Sequence, residues 1–244
     1  MSQPAAALAS LPFELVYSDG EPLESDWHRI QMNLLIDLIE EASTERGRDD
    51  VFAGGDMFVY YAYEQARDVA AGRPYFRGPD VFYVAGVESG KSRERKAWVA
   101  WEEGGRLPDV IFELLSPSTA RIDRTIKKDL YARDFRTPEY FLYHPWTQEF
   151  EGFRLKRNKY QPLAPNAHGR FWSQELGLEV GLWRGVHGVQ GKENTWVRLF
   201  HPDGSLVPTP NERAEAERKR ADAERQRADA AEAELARLRA RLGE

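Results

Sequence analysis

The 244-residue chain has a formal net charge of −6, is 41% hydrophobic and contains no cysteine. The hydrophobic content is sufficient for one globular domain plus an appendage, and the acidic balance argues against nonspecific coating of nucleic acid. The lack of cysteine excludes disulfides, thiolate zinc sites and cysteine nucleophiles. Because the sequence has no basic leader and no run of roughly 20 apolar residues, we expect a cytoplasmic protein without membrane contact.

The N-terminal region predicts an arm followed by a helix. Residues 1–24 contain three prolines and predict an arm with a short strand at Phe13–Tyr17. Ser25 or Asp26 is expected to cap a helix over residues 27–45, because apolar residues recur there at helical spacing. This helix should pack on a sheet.

Several polar residues follow whose roles the sequence leaves open. We interpret His28, beside the apolar stripe of the helix, as a half-exposed residue outside any site. Residues 51–63 have strand composition, and Gly54–Gly55 within them indicate a bulge or a close approach of backbones. Asp56 is either an edge-strand residue facing water or a carboxylate near a metal. Residues 64–76 predict a polar connection.

The central stretch, residues 107–145, predicts a strand, a polar loop, an amphipathic helix and a second strand. Glu113 lies inside the short apolar strand 109–115, where an unpaired carboxylate would cost free energy if buried. Asp80 stands at the entrance of another predicted strand. Glu113 therefore requires a cationic partner.

A lysine on the central helix is the candidate partner. On a helix from Ile122 to Phe135, successive residues turn about 100°, which puts Lys127 in the arc that faces the sheet and Lys128 outside it. Asp123, four residues earlier, could instead hold Lys127 in a surface pair worth about 0.3 to 0.5 kcal/mol. We expect Lys127→Ala to leave the fold largely intact.

This combination of carboxylates and lysine indicates a metal-dependent phosphodiesterase. Such hydrolysis needs a divalent ion to polarise the phosphate and activate water, and a cation near the attacked phosphate. Mg²⁺ (or Mn²⁺) prefers oxygen ligands, so the candidate ligands are Asp80, Glu113 and the backbone carbonyl of Leu114, with Lys127 as the catalytic cation. Asp109 lies about 13 Å from Glu113 along an extended strand at roughly 3.3 Å per residue, so both cannot bind one ion.

The second half of the chain predicts a β-rich region and then a long helix. Four alternating or aromatic segments predict strands at residues 149–155, 160–163, 177–183 and 196–200. Strands mixed with two clear helices indicate the α+β class. We divide the chain into an arm (1–24), a domain (25–205), and a linker with a charged helical tail (206–244).

The tail has the composition of an exposed helix. One heptad row holds Ala214, Ala221, Ala228, Leu235 and Leu242, and the row three residues on holds Glu217, Glu224, Ala231 and Leu238. Because this stripe is apolar only in its last heptads, it predicts a weak homo-oligomer rather than a robust coiled coil; a solvated single helix is the alternative. Nine acidic residues balance nine basic ones after residue 210, so the tail is no basic arm for DNA.

Five short motifs together resemble a known family, the Uma-two type of endonuclease, a bacterial branch of the PD-(D/E)XK nuclease superfamily. The motifs are Pro79 with Asp80, the run ELLSPST from Glu113, the helix residues Lys127, Tyr131 and Ala132, the PEY of 138–140, and His144 with Pro145. The resemblance covers about residues 27–182. It implies a restriction-endonuclease-like mixed sheet flanked by helices, a nucleic-acid substrate for which we expect DNA, metal ligation by Asp80 and Glu113, and catalysis by Lys127.

The chain departs from the superfamily pattern at one position. Leu115 occupies the place where the E-x-K motif has lysine, so a catalytic lysine would come from the helix. Two other interpretations stay open: a structural ion pair of Glu113 with Lys127 or Arg121, and a catalytically inactive nuclease fold that presents its tail to a partner. The basic run Lys91–Lys96 is either a solvated loop or a phosphate-contacting loop.

Overall fold

Eleven strands carry the fold in this computed structural model, which describes residues 12–16, 25–73, 78–88, 94–188 and 193–243. The strands are β1 (Val51–Gly55), β2 (Val59–Tyr60), β3 (Val81–Ala85), β4 (Trp98–Val99), β5 (Val110–Leu114), β6 (Glu139–His144), β7 (Glu149–Lys156), β8 (Lys159–Pro162), β9 (Phe171–Ser173), β10 (Leu178–Val186) and β11 (Glu193–Phe200).

Six of these strands form the main sheet, in the order β1-β3-β5-β6-β7-β8. All neighbours run antiparallel except β5 and β6, which are parallel with Val110 opposite Glu139. A parallel pair needs a long crossover, and here the crossover contains the central helix. The predicted α+β class with a mixed sheet flanked by helices is confirmed.

Helix α1 (Asp26–Glu45) covers one face of this sheet. Ser25 caps it by accepting a hydrogen bond from the backbone N–H of His28, as predicted. The apolar stripe of α1 is fully buried at Leu34, Leu35 and Leu38 and packs with the inward residues of β5.

The second helix on the main sheet is composite. It is α-helical over Ala120–Ile122 and Lys128–Leu130 and π-helical over Asp123–Lys127 and Tyr131–Phe135. We call residues 120–135 the composite helix. Along β5, Phe112 and Leu114 face α1, whereas Ile111 and Leu115 belong to the core beneath the composite helix. Since strand side chains alternate, Glu113 faces the composite helix.

The remaining strands and the tail complete the domain. Strands β9, β10 and β11 form an antiparallel sheet, and β2 pairs with β4. The tail helix runs over Pro210–Leu242 and begins with a capping box between Thr209 and Glu212. Val207 and Thr209 are buried, so the chain packs onto the domain beyond the predicted boundary at residue 205.

Three local predictions differ from the structure. Residues 51–63 form two strands rather than one, interrupted by Asp56, whose φ is +51°. Helix α2 (Tyr63–Ala70) replaces much of the predicted polar connection, because Ala66 and Val69 pack inward at helical spacing. Within residues 12–16 no strand forms, and Tyr17, like residues 91–93 of the basic run, lies outside the described residues. No helix in the described part of the chain is long and apolar enough to cross a bilayer.

Candidate metal and phosphate site

The carboxyl end of β5 holds a buried polar cluster around Glu113, which is only 1% exposed. Nζ of Lys127 donates to its Oε2 at 2.9 Å, and the hydroxyl of Tyr131 donates to its Oε1 at 2.9 Å. Both donors come from the composite helix. The lysine that the helical spacing directs toward the sheet therefore contacts the strand carboxylate, and Arg121 does not take its place.

The composite helix also brings a third carboxylate to the cluster. Oδ1 of Asp123 lies 3.0 Å from Nζ of Lys127, and its side chain is 2% exposed. The π-helical turns are wider than the 3.6 residues of an α-helical turn, so Asp123, Lys127 and Tyr131, spaced four apart, align toward the sheet. The pair of Lys127 with Asp123 that the sequence left open does form, but Asp123 is buried rather than on the surface, and Lys127 contacts Glu113 at the same time.

Asp80 reaches the cluster from the turn before β3. Its Oδ2 accepts a hydrogen bond from the backbone N–H of Leu114 at 2.6 Å. The N–H and C=O of one strand residue point to the same side, so the Leu114 carbonyl also faces the β3 side of the strand. Gly55 permits this arrangement, since a Cβ there would lie 2.6 Å from the Asp80 carbonyl oxygen. The predicted close approach of backbones at Gly55 is thereby explained.

His28 belongs to this cluster, which the sequence interpretation missed. Its Nε2 lies 3.2 Å from Oδ1 of Asp80, and the residue is 9% exposed rather than half-exposed. A signal was present: His28 precedes Met32, Leu35 and Ile39 by four, seven and eleven residues, the spacing of one helix face. Its burial was predictable, but its contact with Asp80 was not.

The cluster contains three carboxylates and one lysine. Burial raises the pKa of Glu113 well above its ordinary value, and the charges of Asp80 and Asp123 add to this effect against the opposing charge of Lys127. At Asp80 burial also favours the neutral acid, but pairing with His28, the charge of Lys127 and the Leu114 N–H hold the pKa below its usual value. Burial alone would lower the pKa of Lys127, yet Glu113, Asp123 and Asp80 raise it, so this lysine is charged.

The oxygen atoms of the cluster retain capacity for a hard cation. A carboxylate offers about four lone-pair sites, and the contacts described use two at Asp80 and two at Glu113. Two carboxylates and a carbonyl are oxygen donors of the kind Mg²⁺ takes while keeping several waters. Among the described residues, no three His, Cys, Asp or Glu side chains form a set that could by itself enclose a metal.

Other acidic residues have structural roles away from this cluster. Asp109 pairs with Arg106 at 3.1 Å and accepts the Ala85 N–H at 2.8 Å. Glu139 is fully buried beside Val110 at the other end of β5, where Arg154 lies 2.7 Å from it. These contacts stabilise the sheet.

Comparison with known proteins identifies relatives of the chain. A family model, Uma2, described as "Putative restriction endonuclease", matches residues 8–187. No curated protein sequence matches. A crystal structure from Anabaena variabilis, described as "a putative nuclease belonging to DUF820", is 15% identical; the match covers 66% of this chain and 82% of that chain with a TM-score of 0.42.

Proposed function

The chain belongs to the Uma2 family, whose model is described as "Putative restriction endonuclease", and from that premise we propose that it is a magnesium-dependent endonuclease that hydrolyses phosphodiester bonds of nucleic acid, with DNA as the preferred substrate. One observation carries the proposal. Asp80, Glu113 and Leu114 come from two different strand ends and meet beside a partly buried, charged lysine. Burying such a cluster costs free energy, and clusters of this kind are typical of functional sites.

Asp80, Glu113 and the Leu114 carbonyl would hold the ion. A bound Mg²⁺ or Mn²⁺ would polarise the phosphate and lower the pKa of a bound water. The chain's own contribution is to fix the ligands: the Leu114 N–H and His28 orient Asp80, and Tyr131 and Lys127 orient Glu113. Hydrogen bonds of this kind orient metal ligands in proteins.

Lys127 would act as a cation and not as a base. Its surrounding carboxylates keep its proton in place, so it can donate to a phosphate oxygen as negative charge develops there. Its 19% exposure leaves the ammonium group accessible from solvent. Lys128 is unsuited to this role, because its Nζ lies 3.2 Å from the centre of the Phe153 ring.

Cleavage of supercoiled plasmid and of single-stranded DNA, with and without Mg²⁺ or Mn²⁺, tests the proposal. Asp80→Asn and Glu113→Gln should abolish cleavage. Asp109→Asn is the matched control, because Pro108 and Asp109 form the second Pro-Asp pair of the chain and Asp109 contacts Arg106 instead. Metal-independent cleavage that survives both site changes would refute the proposal.

A second candidate is a catalytically inactive nuclease fold that assembles with a partner through its tail. The observation that favours it is the set of contacts around Glu113, since Lys127 and Tyr131 would also satisfy a purely structural carboxylate. This candidate predicts a folded protein with neither cleavage nor metal binding that depends on Asp80.

A further inference from the structure

The end of the tail helix carries an exposed apolar stripe. Leu235, Leu238 and Leu242 are 54%, 43% and 77% exposed. With Ala228 and Ala231 they occupy successive a and d positions of a heptad repeat, where a is the position of Ala228. Three leucines on one stripe of an otherwise polar helix indicate a partner surface.

The charges beside this stripe identify the partner as a second copy of the chain. In a parallel two-stranded coil, each g residue faces the e residue five positions later on the other helix. That rule pairs Arg227 with Glu232 and Glu234 with Arg239, so both contacts join opposite charges. We propose that residues 228–242 form a short, parallel, in-register coiled coil between two copies of this chain.

The first half of the tail lacks these properties. The same rule would face Arg213 with Arg218 and Arg220 with Arg225, and like charges there repel. Glutamates occupy the d positions at residues 217 and 224. Pairing is therefore confined to the last fifteen residues of the helix.

An antiparallel pair fits the leucines less well. The antiparallel alignment with matched charges places Leu235 against Leu238 and leaves Leu242 against Ala231. It forms two leucine–leucine layers, whereas the parallel coil forms three. Since buried apolar area dominates association, the parallel arrangement is favoured.

Ion pairs join the first turn of the tail helix to the rest of the domain. Arg198 is fully buried and lies 2.8 Å from Glu212, and Arg213 lies 2.7 Å from Glu41 and 2.6 Å from Glu45 of α1. The coil would begin at residue 228, about 22 Å farther along the helix than Arg213, fifteen residues at 1.5 Å each. A parallel dimer would therefore hold both domains at the same end.

A charge exchange in the full-length chain tests the arrangement by sedimentation equilibrium. Glu234→Arg and Arg239→Glu should each weaken dimerisation about tenfold, since each replaces attraction by repulsion on both sides of the coil. The double variant should recover wild-type association, because it restores the 234–239 pair. In the antiparallel alignment, residue 234 faces 241 and residue 239 faces 232, so the double variant would be weaker than either single variant. That result, or a wild-type mass of 28.0 kDa at every concentration, overturns the proposal.

Single cysteines give a second test that does not depend on charge, since the chain has none of its own. Ala231→Cys at a d position should form an intermolecular disulfide on mild oxidation, because parallel d residues approach within the distance that a disulfide spans. Ala233→Cys, on the outer face, is the control and should stay reduced. A dimer in which residue 231 does not cross-link faster than residue 233 is not parallel, and the proposal fails. Neither test requires nuclease activity.

Discussion

Replacing Lys127 by alanine should destabilise the protein strongly. Lys127 lies 2.9 Å from Glu113 and 3.0 Å from Asp123, whose side chains are 1% and 2% exposed. Removing one partner of a buried ion pair costs about 3 to 5 kcal/mol. At about 2 to 4 °C per kcal/mol for a domain of this size, the melting temperature should fall by about 6 to 20 °C. This prediction differs from the expectation drawn from the sequence that the change leaves the fold largely intact.

Thermal unfolding followed by circular dichroism measures the effect without metal. The double variant Lys127→Ala/Asp123→Asn removes one buried carboxylate together with the lysine, which restores the net charge of the cluster. We therefore expect it to recover at least about half of the melting temperature that Lys127→Ala loses. Lys128→Ala, the neighbouring control, should lose only the ring contact with Phe153, about 0.5 to 1 kcal/mol. If Lys127→Ala melts within about 3 °C of the wild type, Lys127 does not neutralise the buried carboxylates.

Three further predictions concern the site. His28→Ala should raise the Kd for Mg²⁺ about 10- to 100-fold in calorimetric titration, because His28 orients Asp80; an unchanged Kd would show that His28 does not support metal binding. Lys128→Ala should cleave plasmid like the wild type, whereas Lys127→Ala/Asp123→Asn should be folded and inactive; equal cleavage by both would assign the catalytic cation elsewhere. Leu115→Lys in the Lys127→Ala background should restore some cleavage, since Leu115 directly follows β5 and lies in the core beneath the composite helix, the side that Glu113 also faces; no gain would mean that a lysine at position 115 cannot replace Lys127.

The sequence predicted the parts of the site that depend on local periodicity. Alternation along β5 and the turn of the central helix direct Glu113 and Lys127 toward each other, and the two side chains are in contact. Asp80 was expected at the entrance of β3, where it lies. The roles of these residues remain proposals.

The sequence could not predict contacts that depend on packing between distant segments. His28 and Asp80 are 52 positions apart, and only the docking of α1 on the sheet brings them together. The burial of Asp123 depends on how closely the composite helix packs on the sheet, which the helical period does not indicate. Arg198 and Glu212 similarly form an ion pair that joins β11 to the tail helix.

Calorimetric titration of Mg²⁺ into the metal-free protein tests the central claim most directly. We predict one Mg²⁺ site in the wild type and in Asp109→Asn, and no binding in Asp80→Asn at the same concentrations, with all three proteins folded by circular dichroism. Equal binding by Asp80→Asn and Asp109→Asn, or no binding by the folded wild type, would contradict a metal centre at Asp80 and Glu113.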